Sequence, residues 1–249
     1  MGQHDSPKDR HDALVPTPRP EAPTRMSVAA LIVAAGRGRR LGAPTPKQYI
    51  PLNGPPALRR SVAALLAAPG VTRALVVIHP DDADLYAEAM DGLDDSRLGG
   101  WVAGGATRAA SVREGLEALA AEAPDRVLIH DAARPFVPQS VIAAVIAALE
   151  DCDGACAALP VVDALWRAEG DDMATDSVPR DGLWRAQTPQ GFRFAPILAA
   201  HRNADPDAAD DVAVARAAGL RVRFVPGSEA NYKITTAADL ERAQAQTGG

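Results

Sequence analysis

From Val28 onward, apolar runs alternate with stretches whose apolar residues recur at helical spacing. Val28–Val33, Ala74–Ile78, Leu98–Val102, Arg126–Ile129, Ala155–Pro160 and Arg221–Val225 read as strands. Between them, 56–67 places Leu58, Val62, Leu65 and Leu66 on one helical face, and 107–121 does the same with Val112, Leu116 and Leu119. Further helices are predicted over 81–90, 137–149, 195–202, 210–217 and 237–245. Strands apolar on both faces, each followed by a helix, imply an α/β fold with a mainly parallel sheet covered on both sides. Ligands of such folds sit at the carboxyl ends of the strands.

The rhythm breaks over 161–187. Here Val162–Arg167 and Gly182–Arg185 are short, Trp-bearing and strand-like, with polar residues between them. They predict a β-arm protruding from the sheet, and exposed tryptophans on an arm suit a partner surface. A hairpin folded back on its own domain fits the pattern equally well. The first 26 residues hold Pro7, Pro16, Pro18, Pro20 and Pro23 among polar and charged side chains. Such a segment buries too little to order itself, so residues 1–26 are expected to be a disordered tail and 27–246 one domain.

The glycine-rich stretch Ala34-Ala35-Gly36-Arg37-Gly38-Arg39-Arg40 leaves the first strand, with Lys47 close behind. Glycines let backbone N–H groups approach a phosphate chain, and fixed cations hold its charge still. A dinucleotide fingerprint would need Gly or Ala where Leu41 stands, and a Walker A loop would need Gly-Lys-Ser/Thr. Neither fits, leaving a nucleotide loop of another kind in which Arg40 and Lys47 are the candidate catalytic cations. Gly105, Arg108 and Ser111 form a second candidate group, a glycine turn opening a helix. Thr107 serves there as an ordinary N-cap. Asp131 ends a buried strand in His130-Asp131-Ala132-Ala133-Arg134-Pro135, where a carboxylate needs a cation, a metal or hydrogen-bond donors. Arg134 could satisfy it with no functional role. Arg180, Thr188 and Lys233 stand out less as single residues.

Composition narrows the partners. A net charge of −6 disfavours a nucleic-acid or anionic-membrane binder, so anions must be met by local cationic clusters. No apolar run approaches the roughly 20 residues needed to cross a bilayer. Cys152 and Cys156 are the sole cysteines and have too few ligand-type neighbours for a zinc site. No protein-held metal is expected, and the cysteine usage suits the cytoplasm.

Taken together, the loop 34–49, Gly104–Ser111, His130–Pro135, Leu183–Gln190 and Asn231–Thr235 resemble, in order, the 2-C-methyl-D-erythritol 4-phosphate cytidylyltransferases. The resemblance spans about residues 28–242. It implies a Rossmann-like nucleotidyltransferase fold and transfer of cytidylyl from CTP to a sugar-alcohol phosphate, with Mg²⁺ bound mainly through the CTP phosphates. By the same resemblance Arg40 and Lys47 stabilise charge on the reacting phosphates. Arg180 and Lys233 position the acceptor, and Asp131, Arg134 and Thr188 line its pocket. Ala34, Ala35, Gly36, Gly38, Gly105, Arg108 and Ser111 fall on the nucleotide side. The 161–187 excursion matches a dimerisation arm, so that Arg180 would serve the neighbouring subunit of a homodimer. Some members are fused to a following synthase domain; a single domain is expected for this sequence. Many members carry Asp where Ala106 stands and Thr where Ala164 stands, which leaves a ribitol 5-phosphate cytidylyltransferase, or a nucleotide-binding module without catalysis, as alternatives.

Overall fold

Alternation along β1 (Val28–Val33) divides the core in two. Val28, Ala30 and Ile32 pack into one apolar cluster, and Ala29 and Leu31 into another on the opposite side of the sheet. The computed structural model describes Met1 and residues 26–37 and 42–248. The expected tail up to Thr24 and Arg25, together with Gly38, Arg39 and Arg40, lies outside the described residues. After the loop come α1 (Ala57–Leu66), β2 (Val71–Ile78), α2 (Ala83–Met90), β3 (Leu98–Ala103), α3 (Arg108–Leu119), β4 (Arg126–Asp131), α4 (Gln139–Ala148) and β5 (Gly154–Pro160). A two-stranded excursion, β6 (Leu165–Glu169) and β7 (Met173–Val178), leads to β8 (Trp184–Arg193), α5 (Phe194–Arg202), α6 (Asp211–Ala217), β9 (Val222–Pro226) and α7 (Ala237–Thr247).

The main sheet has the order β3-β2-β1-β4-β8-β5-β9, and within it only β8 runs antiparallel to its neighbours. Residues of α1, α2 and α4 cover the Ile32 face, while α3, α5 and α6 cover the Leu31 face. The doubly covered, mainly parallel sheet is the α/β architecture predicted from the alternation.

The arm differs in detail from the sequence reading. Its hairpin pairs Leu165 with Val178 and Glu169 with Met173. Trp184 and Arg185 instead begin β8, pairing with Pro160 and Leu159 of β5 at the arm's base. Beyond Trp184 and Arg185, the rest of β8 escaped detection because Gln187, Thr188, Pro189 and Gln190 interrupt any apolar pattern. The polar side chains among them are nevertheless buried, and each finds partners inside the fold.

Register positions the site. Val33 pairs with Val77 and with Asp131, and Ile78 pairs with Ala103. The loops that follow β1, β3 and β4 therefore open at one sheet edge. α7 closes the chain under a Thr236–Asp239 capping box. It packs Ala243 against Leu52, Ala57 and Ile234 in a small third core.

Gly115 tests how tightly α3 lies on the sheet. A Cβ there would stand 2.4 Å from Leu31 Cδ1 and 2.8 Å from Val77 Cγ2, both in fully buried side chains. Helix propensity alone favours Gly115→Ala by about 1 kcal/mol. Overpacking a close-packed core costs about 1–3 kcal/mol, so the substitution is expected to lower stability. A urea midpoint at or above that of the wild type would contradict this packing.

Candidate active site

The loop leaving β1 is held at both ends. Ala34 N–H donates to Val77 C=O at 2.7 Å, continuing the ladder past the end of the strand. Gln48, buried in the 3-10 turn Lys47–Tyr49, donates its side-chain amide to the carbonyls of Ala34 (2.6 Å) and Gly36 (3.1 Å). Arg37 reaches the buried Asp82 at 2.7 Å, just before α2. The loop thus leaves and returns through fixed points, and its return delivers Lys47 to a cavity of about 670 Å³. Ala34, Ala35 and Gly36 line the same cavity, with Gly105, Arg108, Ser111, Asp131 and Lys233.

The opposite wall is the turn into α3. Gly104 and Gly105 are required there by close approach, since a Cβ on Gly104 would meet Ala35 Cβ at 2.5 Å and one on Gly105 would meet Ala110 Cβ at 2.6 Å. Thr107 caps α3 by accepting from Ala110 N–H at 3.1 Å, as its position in the sequence suggested. Ser111 is buried and donates back to the carbonyls of Thr107 (2.9 Å) and Gly105 (3.3 Å).

Asp131 stands at the centre. Lys233 Nζ lies 2.7 Å from Oδ2, Arg108 Nε 3.4 Å from Oδ1, and Arg134 Nε 3.8 Å from Oδ2. Burial alone would raise this carboxyl, but Lys233 and Arg108, with Arg134 behind them, hold it well below the usual carboxylate range. The local Asp131–Arg134 pair suggested by the sequence is therefore the loosest of these contacts. Arg134 spends its strongest bond, 2.7 Å, on the Asn231 carbonyl.

Lys233 arrives from the far end of the chain. Ile234 N–H donates to Ala133 C=O at 2.9 Å, and buried Asn231 donates to Thr188 C=O at 2.7 Å. These bonds lay the 231–235 link beside the end of β4. Thr188 is buried and does not itself line the cavity; it touches the lining residue Asp131. Its hydroxyl accepts from Asp131 N–H at 3.0 Å and meets His130 Nδ1 at 3.0 Å, while His130 Nε2 faces the Arg134 carbonyl at 3.1 Å. A carbonyl can only accept, so Nε2 carries the proton and Nδ1 receives the Thr188 hydroxyl proton. Arg180 lies in the arm, bonded to the Val162 carbonyl and apart from the residues lining this cavity.

Sequence reasoning did not find the second carboxylate of the site. Asp211, fully buried at the start of α6, bonds Arg108 Nη2 at 2.8 Å and lies 3.3 Å from His201 Nε2. In sequence, Asp210-Asp211 before an apolar helix reads as a cap, and Asp210 does cap it by accepting from Ala213 N–H at 2.9 Å. Among the described residues no group of His, Cys, Asp and Glu is arranged to hold a metal ion. No described helix is long and apolar enough to cross a membrane.

Full burial pushes the His130 imidazole down to about 4 from 6.5. Between those values the unfolded chain binds a proton that the folded one refuses. Stability is therefore expected to fall, by roughly 3 kcal/mol, as pH drops from 6.5 towards 4. Asp131 acts in the same direction over a lower window, its contribution intact above about pH 4 and lost as pH falls further. Urea midpoints measured against pH should show the first decline in the wild type and a flatter one in His130→Asn. Parallel curves would contradict the assignment.

Residues 28–248 match the family described as IspD: 2-C-methyl-D-erythritol 4-phosphate cytidylyltransferase. The 2-C-methyl-D-erythritol 4-phosphate cytidylyltransferase of Cereibacter sphaeroides (strain KD131) is 54% identical over 219 residues, covering 88% of this chain and 96% of that one. The bifunctional enzyme IspD/IspF of Rhodobacter capsulatus is 56% identical over 220 residues, covering 88% of this chain and 56% of that enzyme. The crystal structure of the Thermus thermophilus 2-C-methyl-D-erythritol 4-phosphate cytidylyltransferase aligns with a TM-score of 0.70 at 34% identity, covering 89% of this chain and 98% of that one. With nearly its whole described length matched, and more than half its aligned residues shared with the Cereibacter protein, the chain belongs to the 2-C-methyl-D-erythritol 4-phosphate cytidylyltransferase family.

Proposed function

We propose that this chain transfers the cytidylyl group of CTP to 2-C-methyl-D-erythritol 4-phosphate, forming 4-diphosphocytidyl-2-C-methyl-D-erythritol and pyrophosphate. The observation that carries the reading is one cavity lined by the glycine loop, Lys47, the Gly105–Ser111 turn, Asp131 and Lys233, in a chain of this family. The acceptor is a phosphate monoester whose second pKa is about 6, so at neutral pH it is mostly a dianion and needs no general base. Its oxygen attacks the α-phosphorus of CTP, the P–O bond to the β-phosphate breaks, and pyrophosphate leaves. The barrier lies in bringing two polyanions together. Fixed cations lower it by neutralising both and aligning them.

Lys47, at the end of the loop, is assigned to the triphosphate. Arg40, outside the described residues, joins it by family resemblance. Lys233 is assigned to the acceptor phosphate, oriented by its bond to Asp131. Gly105 and Ser111 face the base, and Arg108 takes the nucleotide side between them and Asp131. Magnesium would be held mainly by the CTP phosphates, because Asp131, the one carboxylate among the described lining residues, already faces Lys233, Arg108 and Arg134. It would supply further neutralisation of the triphosphate.

The 161–187 arm is assigned to a homodimer. Val162, Trp166, Met173 and Trp184 are large apolar side chains left exposed along it, and Trp184 stacks on the exposed Phe224 at 5.6 Å. Arg180 on this arm would then complete the partner's acceptor site. Mixing Lys47→Ala with Arg180→Ala protein tests the exchange. In a mixed dimer one site carries both lesions and the other none, so activity is expected to return. No recovery, with subunit exchange shown independently, would place Arg180 at its own chain's site.

The reaction itself is tested by pyrophosphate release from CTP and Mg²⁺ with each acceptor in turn. Release is expected with 2-C-methyl-D-erythritol 4-phosphate in at least tenfold preference to ribitol 5-phosphate. The reverse preference would give Ala106, which lines the cavity, and exposed Ala164 a different acceptor to serve. CTP binding without turnover on either would leave a nucleotide-binding module.

A further inference from the structure

The buried Asp211–His201 pair is unused by the chemistry just described, although burying charge away from solvent is expensive. We propose that Asp211 is a positioning residue for CTP, acting through Arg108, a role that rests on the reading of this cavity as a CTP site. Arg108 divides its guanidinium between two carboxylates. Nη2 meets Asp211 at 2.8 Å and Nε meets Asp131 at 3.4 Å, with Nη1 taking part in neither bond. The shorter bond, to the more deeply buried partner, decides where the fork sits.

Three observations set Asp211 apart from an ordinary helix-start carboxylate. Its own backbone needs no help, because Asp210 already caps α6. Its place is prescribed from β8, where Gln190 donates to Asp210 Oδ2 at 2.9 Å and accepts from Val212 N–H at 3.1 Å, clamping the residues on either side. The charge balance also requires it. Asp131 already faces Lys233 and Arg134, so without Asp211 the guanidinium of Arg108 would have Asp131 as its one remaining carboxylate. It would close on Asp131, leave the nucleotide side of the cavity and compete with Lys233. Burying a lone carboxylate is costly, and pairing with Arg108 is what makes this one tolerable. Burial would raise the Asp211 carboxyl, yet Arg108 and His201 hold it below the usual range, in keeping with a charged partner at neutral pH.

The test is a double-mutant cycle on the full chain, with the CTP dissociation constant measured calorimetrically in Mg²⁺ and melting temperatures recorded alongside. Asp211→Asn and Arg108→Lys are each expected to weaken CTP about tenfold. The double variant should be no weaker than the worse single, because both changes remove one interaction. A merely structural Asp211 would lower the melting temperature and leave the dissociation constant of folded protein unchanged. That result, or a double variant weakened about a hundredfold, would overturn the proposal. Should Asp211→Asn not fold, Asp211→Glu keeps the charge and displaces the carboxylate; a wild-type dissociation constant there would equally overturn it. Wild-type protein that binds CTP but releases no pyrophosphate would defeat the proposed reaction and leave this cycle readable. Wild-type protein that binds no CTP would defeat both.

Discussion

The site depends on keeping one carboxylate ionised at the buried end of β4. Asp131 has lost most of its water, and only the cations around it make that state acceptable. Two of those cations come from distant parts of the chain, Arg108 from α3 and Lys233 from the link before α7, while Arg134 stands in the turn directly after β4. Satisfying Asp131 therefore draws those segments together around one point. The electrostatic requirement of a single side chain assembles one wall of the cavity.

β8 is the strand that makes this assembly geometrically possible. Running against its neighbours, it sets a row of buried polar side chains beside the end of β4. Thr188 bonds the Asp131 amide and His130, Gln187 bonds Ser228 and Asn231 ahead of Lys233, and Gln190 fixes the start of α6. Each bond replaces water that these groups lose on burial. Polarity in this strand is a set of attachment points for loops that have no regular partners of their own. The cationic loop on the other side is treated differently. Gln48 and the Arg37–Asp82 pair hold its roots.

Much of this was legible before any coordinates. The strands from Val28 to Pro160 and most helices followed from periodicity, because apolar residues at spacings of two and 3.6 have few ways of being buried. The glycine loop and Asp131 were placed at the functional edge by the rule that strand ends in parallel sheets carry the ligands. The interior of β8 was not legible, since its burial rests on hydrogen bonds to residues far away in sequence. The arm's pairing was misread for a related reason: Trp166 and Trp184 look alike in sequence but belong to different sheets.

The sequence by itself determined the layered α/β class, the phosphate-type loop and the residue types available for chemistry. These are local properties, set by side-chain periodicity and by the backbone freedom of glycine. Only the tertiary structure decided which charges meet. Lys233 reaches Asp131 across 102 positions of chain, and Arg108 reaches Asp211 across 103. A pairing of that kind depends on sheet order and register, and those are settled by packing over the whole domain.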